Sequence, residues 1–125
     1  MRILVVEDEP ANLKVLMLFL RDQGYDVVGA RDGVEALEVL DKFRFDLVLS
    51  DIRMPRMDGV TLATNILSRV PITPVFLMTA DSFYTSNAVV KAGVPCISKP
   101  FSLVQLLSQL HNVLGNRSQT AGSVH

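Results

Sequence analysis

Five side chains in this sequence are of types that do chemistry together: the acid pair Glu7-Asp8, the aspartate Asp51, the threonine Thr79 and the lysine Lys99. Each follows an aliphatic run, "RILVV" before the acid pair, "DLVLS" before Asp51, "VFLM" before Thr79 and "CIS" before Lys99. Carboxylates brought close raise one another's pKa, and partial burial adds to the effect. Such a cluster is tenable only beside positive charge. A hard divalent cation with oxygen ligands meets that need, since Mg²⁺ accepts one or two carboxylates together with waters and phosphate oxygens. Lys99 is a second counter-charge, and Thr79 adds a hydroxyl. Taken singly, each residue has an ordinary reading, the aspartate as a turn former and the threonine or lysine as a cap or a solvated charge. Their conjunction at the ends of several strands is what points to a site.

The fold must bring them together. Short aliphatic runs at 2–6, 26–30, 46–50, 74–78 and 96–98 alternate with segments of helical period at 10–23, 33–43, 58–69, 83–92 and 102–114. Strands that are each followed by a helix predict an α/β domain, a five-stranded parallel sheet with helices on both faces. In open sheets of this kind the functional site lies beyond the carboxyl ends of the strands, where the strand order reverses. The order 2-1-3-4-5 puts that reversal between strands one and three, so Glu7-Asp8 and Asp51 converge.

The helical segments differ in character. Residues 102–114 place Leu103, Leu106, Leu107, Leu110 and Leu114 on one face, with Gly115 as a C-terminal stop. Segment 33–43 gathers Ala36, Leu37, Leu40 and Phe43. Segment 83–92 is rich in Ser, Thr and Asn, which compete with their own backbone for hydrogen bonds, so it is the most easily rearranged element. In segment 10–23, Leu13, Leu16, Met17 and Leu20 form the core stripe, and Val15 and Phe19 are expected to pack on the last helix. Leu18 stands between such packing and a docking patch for a partner helix. Residues 1–115 are expected to form one domain, and 116–125, without periodicity, a flexible tail or the start of a linker.

Composition removes several function classes. Twelve basic against thirteen acidic residues, net charge -1, make no electrostatic case for direct binding of nucleic acid or an anionic membrane. A single cysteine, Cys96, excludes an internal disulfide and any multi-thiolate metal site. No apolar stretch approaches the ~20 residues that span a bilayer, and the opening "RILVV" is too short for a signal peptide. A cytoplasmic protein is the expectation.

The segments "LVVEDEP", "DLVLSDIRMPRMDG", "LMTA" and "KAGVPCISKPF", in this order and spacing, resemble the signature segments of the receiver domain of two-component response regulators, and the likeness runs from Arg2 to Leu114. The resemblance implies a flavodoxin-like, doubly wound (βα)5 fold. It also implies that Asp51 is the phosphoacceptor. Asp8, Asp51 and the backbone carbonyl of Arg53 would hold Mg²⁺ (or Mn²⁺) directly, with Glu7 acting through a water. Thr79 would hydrogen-bond the phosphoryl group, Lys99 would pair with it, and the Lys99–Pro100 bond would be cis. Glu9 is read as solvated. The implied partners are a sensor histidine kinase or histidine phosphotransfer protein upstream, an output domain or protein downstream, and a second copy in a phosphorylation-dependent dimer. No nucleic acid or membrane is contacted directly. Neither His111 nor His125 falls near the crevice, so the chain receives phosphate and does not start the relay. It is not an enzyme beyond self-catalysed acceptance and autodephosphorylation. Phosphorylation would switch the face built from the fourth helix, the fifth strand and the last helix.

Three features depart from or qualify the pattern. Cys96 stands where the family has an aromatic that follows the threonine, and Phe83 or Tyr84 is the proposed substitute. As a strand cysteine, Cys96 reads first as a small buried hydrophobe and only second as a redox sensor. Pro95 should shorten pairing of the fifth strand. Arg53 and Asp81 could pair across the site and obstruct the hydrolytic water, or stand as two solvated charges. Rival readings fit less well. A nucleotide-binding loop after strand one needs glycines and hydroxyls, not "VEDEPAN". A haloacid dehalogenase phosphatase needs an acid where Arg53 stands. A degenerate receiver, acting as a phosphorylation-independent interaction module, is the alternative. The initial Met1 favours a response regulator over an internal kinase segment.

Overall fold

Residues Leu47–Asp51 and Val75–Thr79 are buried at every position, and this sets the architecture: they are central strands covered on both faces. The computed structural model of the chain describes residues 1–69, 73–80 and 94–122, with residues 116–122 described by backbone alone. Strands β1 (Arg2–Val6), β2 (Asp26–Ala30), β3 (Leu47–Asp51), β4 (Val75–Thr79) and β5 (Cys96–Ser98) form one parallel sheet in the order β2-β1-β3-β4-β5. The predicted order and parallel pairing are those observed. The two-residue period of the strands divides the core. Leu4, Val6, Val48 and Leu77 face helices α2 (Gly33–Lys42) and α3 (Gly59–Leu67), meeting Ala36, Leu62 and Ile66. Ile3, Val5, Leu47, Leu49, Phe76 and Met78 face α1 (Pro10–Asp22) and the C-terminal helix (Leu103–Gly122), meeting Leu16, Leu20, Leu106, Leu110 and Leu114.

The helix starts are written locally. Asp32 caps α2 by accepting the Glu35 N–H at 2.8 Å, and Asp58 caps α3 by accepting the Thr61 N–H at 2.8 Å. Glu9 caps α1, accepting the Ala11 N–H at 3.4 Å, so this third acid of the run is spent on the helix. Gly59, first residue of α3, lies so close to β3 that a Cβ there would overlap the Asp51 carbonyl oxygen. Its N–H donates to Ile52 O at 2.7 Å, which folds the loop back under the strand end.

Several expectations are corrected. Strands β3 and β4 lie one residue later than predicted, so Asp51 and Thr79 are strand residues, paired with Met78 and Ser98. Phe43 is the C-cap of α2, in extended backbone and 53% exposed, because the helix ends at Lys42; Phe45 is buried in its place. Phe19 packs into the core as expected, but Val15 does not. Leu16 and Leu20 enter the core cluster that also holds the leucines of the C-terminal helix, and Val15 stands on the rim of a crevice of ≈ 460 Å³ with Met78 and Phe101. Leu18 is likewise exposed. The last helix passes through Gly115 and continues to Gly122. A helical glycine costs only about 1 kcal/mol relative to alanine, and no left-handed turn occurs there to cap the chain. The segment expected at 83–92, with Phe83, Tyr84 and Asp81, lies outside the described residues.

Two stability outcomes follow. Gly59→Ala should lose about 1–3 kcal/mol in denaturant unfolding, since the clash is with backbone and not with a flexible side-chain end. Asp32→Ala should lose about 1 kcal/mol or more with the cap. The Glu35 N–H and Arg56 hold the Asp32 pKa below its ordinary 3.8. Its stabilisation is therefore complete above pH 3.8 and disappears as pH falls through the lowered value, so the gap between wild type and Asp32→Ala should close there. A gap that persists in strong acid would show that the carboxylate is not its source.

Candidate functional site

Parallel strands end together, so their last residues share one rim. β1 ends at Val6 and delivers Glu7 and Asp8; β3 ends on Asp51; β4 ends on Thr79; β5 ends at Ser98 and delivers Lys99. Carboxylate oxygens of Glu7, Asp8 and Asp51 lie within 4.8 Å of one another. Glu7 and Asp51 are buried and Asp8 is exposed, so the cluster has a wet mouth and a dry floor. Lys99 Nζ donates to Asp51 Oδ2 at 3.0 Å and stands 3.9 Å from Glu7 Oε2. All five residues singled out in the sequence are thus on one rim.

The backbone joins two of them. The Lys99 N–H donates to the Thr79 carbonyl at 2.7 Å, which fixes the start of the lysine loop against the end of β4. Thr79 itself is buried. The Lys99–Pro100 bond is cis. Arg53 is exposed on the loop after β3 and lines a recess with Asp8, Met54 and Asp58.

The electrostatics are strained in the way the sequence implies. Burial pushes the Glu7 carboxyl up to about 7, and the neighbouring Asp51 adds to the rise; Lys99 and the Asn12 amide pull it back. Asn12 Nδ2 donates to Glu7 Oε1 at 3.2 Å, while the buried Oε2 has no hydrogen-bond donor among the described residues. A proton on Glu7 would let the two acids share a hydrogen bond. Ionised, they need a cation. A donor set made wholly of hard oxygens, with one buried oxygen unsatisfied, fits a divalent metal ion.

Two contributors were not read from the sequence. Asn12, on the first turns of α1, leans over Glu7; its only sequence signal is an amide one helical turn after the acid run. Asp32 and Arg56 link the turn after β2 to the loop after β3. Cys96 is half-buried against the α2–α3 side of the core, and burial pushes its thiol up to about 11. That favours the small-hydrophobe reading over a reactive thiolate.

Comparison with known proteins agrees with this geometry. The family model described as "Response regulator receiver domain" matches residues 3–111. The chain is 46% identical over 114 residues to the transcriptional regulatory protein GlrR of Escherichia coli (strain K12), covering 90% of this chain and 26% of that protein. It is 41% identical over 105 residues to the sensor histidine kinase RcsC of the same strain, covering 82% of this chain and 11% of that one. The chain therefore spans about a quarter or less of these relatives. Among solved structures, the response regulator TrrA from Thermotoga maritima, in complex with Mg(2+)-BeF, superimposes with a TM-score of 0.82 at 33% identity, covering 89% of this chain and 96% of that one. Fold, strand order, acid cluster and family match coincide, and the chain belongs to the response regulator receiver domains of two-component systems.

Proposed function

We propose that Asp51 is the phosphoacceptor of this receiver domain, and that Glu7, Asp8, Thr79 and Lys99 serve its reaction. The observation that carries the reading is the Asp51 carboxylate, held at 3.0 Å by the Lys99 ammonium inside a cluster of acids on the sheet's carboxyl rim. An Asp51 oxygen attacks the phosphorus of a phosphohistidine or a small acyl phosphate. The P–N or P–O bond breaks, and the electron pair leaves on the donor, which takes up a proton from solvent. Hydrolysis later returns inorganic phosphate and the free carboxylate. Asp8, Asp51 and the Arg53 carbonyl would hold Mg²⁺ or Mn²⁺, with Glu7 acting through a water, and the bound ion supplies positive charge to the phosphoryl oxygens. Lys99 supplies the same sign of charge from the protein, exchanging its bond to the carboxylate for one to the phosphoryl group.

The Thr79 hydroxyl then hydrogen-bonds the phosphoryl group, whose added charge and acceptor oxygens are the signal. About 1.4 kcal/mol of differential contact changes a two-state equilibrium tenfold, so one new hydrogen bond at Thr79 is of the size a signal needs. The phosphodonor is a histidine kinase or phosphotransfer protein, which implies a cytoplasmic setting. The reader is an output domain or partner at the face around β5 and the C-terminal helix, and a phosphorylation-dependent dimer is one form it can take. Residues 1–115 carry the domain, and 116–125 lead out of it. No described helix is long and apolar enough to cross a membrane. The assembled rim favours this reading over a phosphorylation-independent module.

Incubation with Mg²⁺ and acetyl phosphate should add one phosphoryl group by intact mass, with none in Asp51→Asn or in the presence of EDTA. Uptake by Asp51→Asn would move the acceptor elsewhere. If Arg53 and Asp81 shield the phosphoryl group from water, Arg53→Ala should shorten the lifetime of the phosphorylated form; an unchanged decay rate removes that role.

A further inference from the structure

The loop between β3 and α3 turns on an arginine in a conformation that side chains rarely adopt. Arg56 has φ 68, the one non-glycine residue with positive φ among the described residues. The Met57 N–H donates to Pro55 O at 2.7 Å across it, closing a γ-turn. A positive φ at the centre of such a turn is strained for an L-residue and persists only where the surroundings enforce it. Glycine would occupy the position without strain, so the arginine's side chain is what the loop uses.

That side chain is moored outside the loop. Nε and Nη2 of Arg56 both donate to Asp32 Oδ2, at 3.0 and 2.7 Å. Asp32 Oδ1 is already engaged by the Glu35 N–H, and the Asp32 side chain is 13% exposed. The anchor is therefore a capped, largely buried carboxylate on a helix start. Next to it, the Met57 side chain lies on Gly33, so close that a Cβ there would come within 2.9 Å of it. The loop is thus pinned at its base by Gly59 and Ile52 and at its tip by Arg56 and Asp32. Arg53 lies between the two pins.

The geometry points to Arg56 as a positioning residue for the divalent-cation site: its ion pair with Asp32 holds the γ-turn and so orders the Arg53 carbonyl in advance of binding. This rests on the proposed role of that carbonyl as a ligand. Without the mooring, Arg56 relaxes towards negative φ and the peptides before it rotate freely. Ordering a single freed residue on binding costs on the order of fivefold in affinity.

Calorimetric titration with Mg²⁺ alone tests the inference, alongside thermal melts without divalent ion. Asp32→Asn keeps a capping oxygen but loses the charge, and Arg56→Gly loses the mooring but relieves the strain. Each should raise the Mg²⁺ Kd about fivefold, with Arg56→Gly melting no lower than Arg56→Ala. The double variant Asp32→Asn/Arg56→Gly should bind no more weakly than either single one, because both remove the same link. Arg56→Lys should fall between wild type and Arg56→Gly. Lower melting temperatures with Kd values within twofold of wild type would make the pair purely structural and overturn the inference, as would additive losses. A wild-type chain that binds no Mg²⁺ would instead overturn the receiver site itself.

Discussion

Like-charge repulsion among three carboxylates is the constraint on which the structure turns. Glu7, Asp8 and Asp51 come within 4.8 Å because β1 and β3 are neighbours that end on the same rim. Left to itself, that arrangement opposes folding, and the Glu7 pKa rises to about 7. Burial contributes most to the rise and Asp51 adds to it, so the strain comes from placing acids where hydrophobic strands run out. The protein offsets part of it with Lys99, brought from the far end of the chain, and with the Asn12 amide. What remains is an acidic cluster that positive charge would stabilise and, at Asp51, a carboxylate held in place by the Lys99 ammonium.

The rest of the molecule makes that arrangement rigid. Central strands buried on both faces cannot slip by one residue without turning their apolar side chains to the wrong core. The alternation of Ile3 and Val5 with Leu4 and Val6 fixes which helices lie on which side, and hence where each strand ends. At the rim of this frame the polar groups stand on the last residues of β3 and β4, Asp51 and Thr79, and on the loops that follow β1 and β5. Among the ties of the described loops to the frame are Gly59 under Asp51, the Lys99 N–H on the Thr79 carbonyl, and Arg56 on Asp32.

The crevice beside the site shows how composition and topology divide the work. Val15, Met78 and Phe101 come from three separate segments and give it an apolar wall, while Glu7, Asn12 and Lys99 give it a polar edge. The helical period of α1 alone placed Val15 in the packing with the last helix. The start of that helix at Leu103, after the Pro100-Phe101 turn, leaves it on the rim.

Chemistry confined to strand ends is legible in a sequence, because a hydrophobic run announces the strand and the polar residue after it needs no knowledge of distant contacts. On that basis Glu7, Asp8, Asp51, Thr79 and Lys99 were readable, as were the parallel sheet and its order; the caps Glu9, Asp32 and Asp58 were not. A shift of one residue at β3 and β4 was not, since ladder pairing is settled by the neighbouring strand. Nor was the end of the last helix, where Gly115 signals a stop that the backbone does not take. The sequence by itself determined which groups stand on the rim and what charge they need. Only the tertiary structure decided how they are held: Asp32 and Arg56 lie 24 residues apart in unrelated loops, and Asn12 reaches back from the first turn of α1 to Glu7. Contacts between side chains on different elements depend on packing angles and register, which no local pattern of residues encodes.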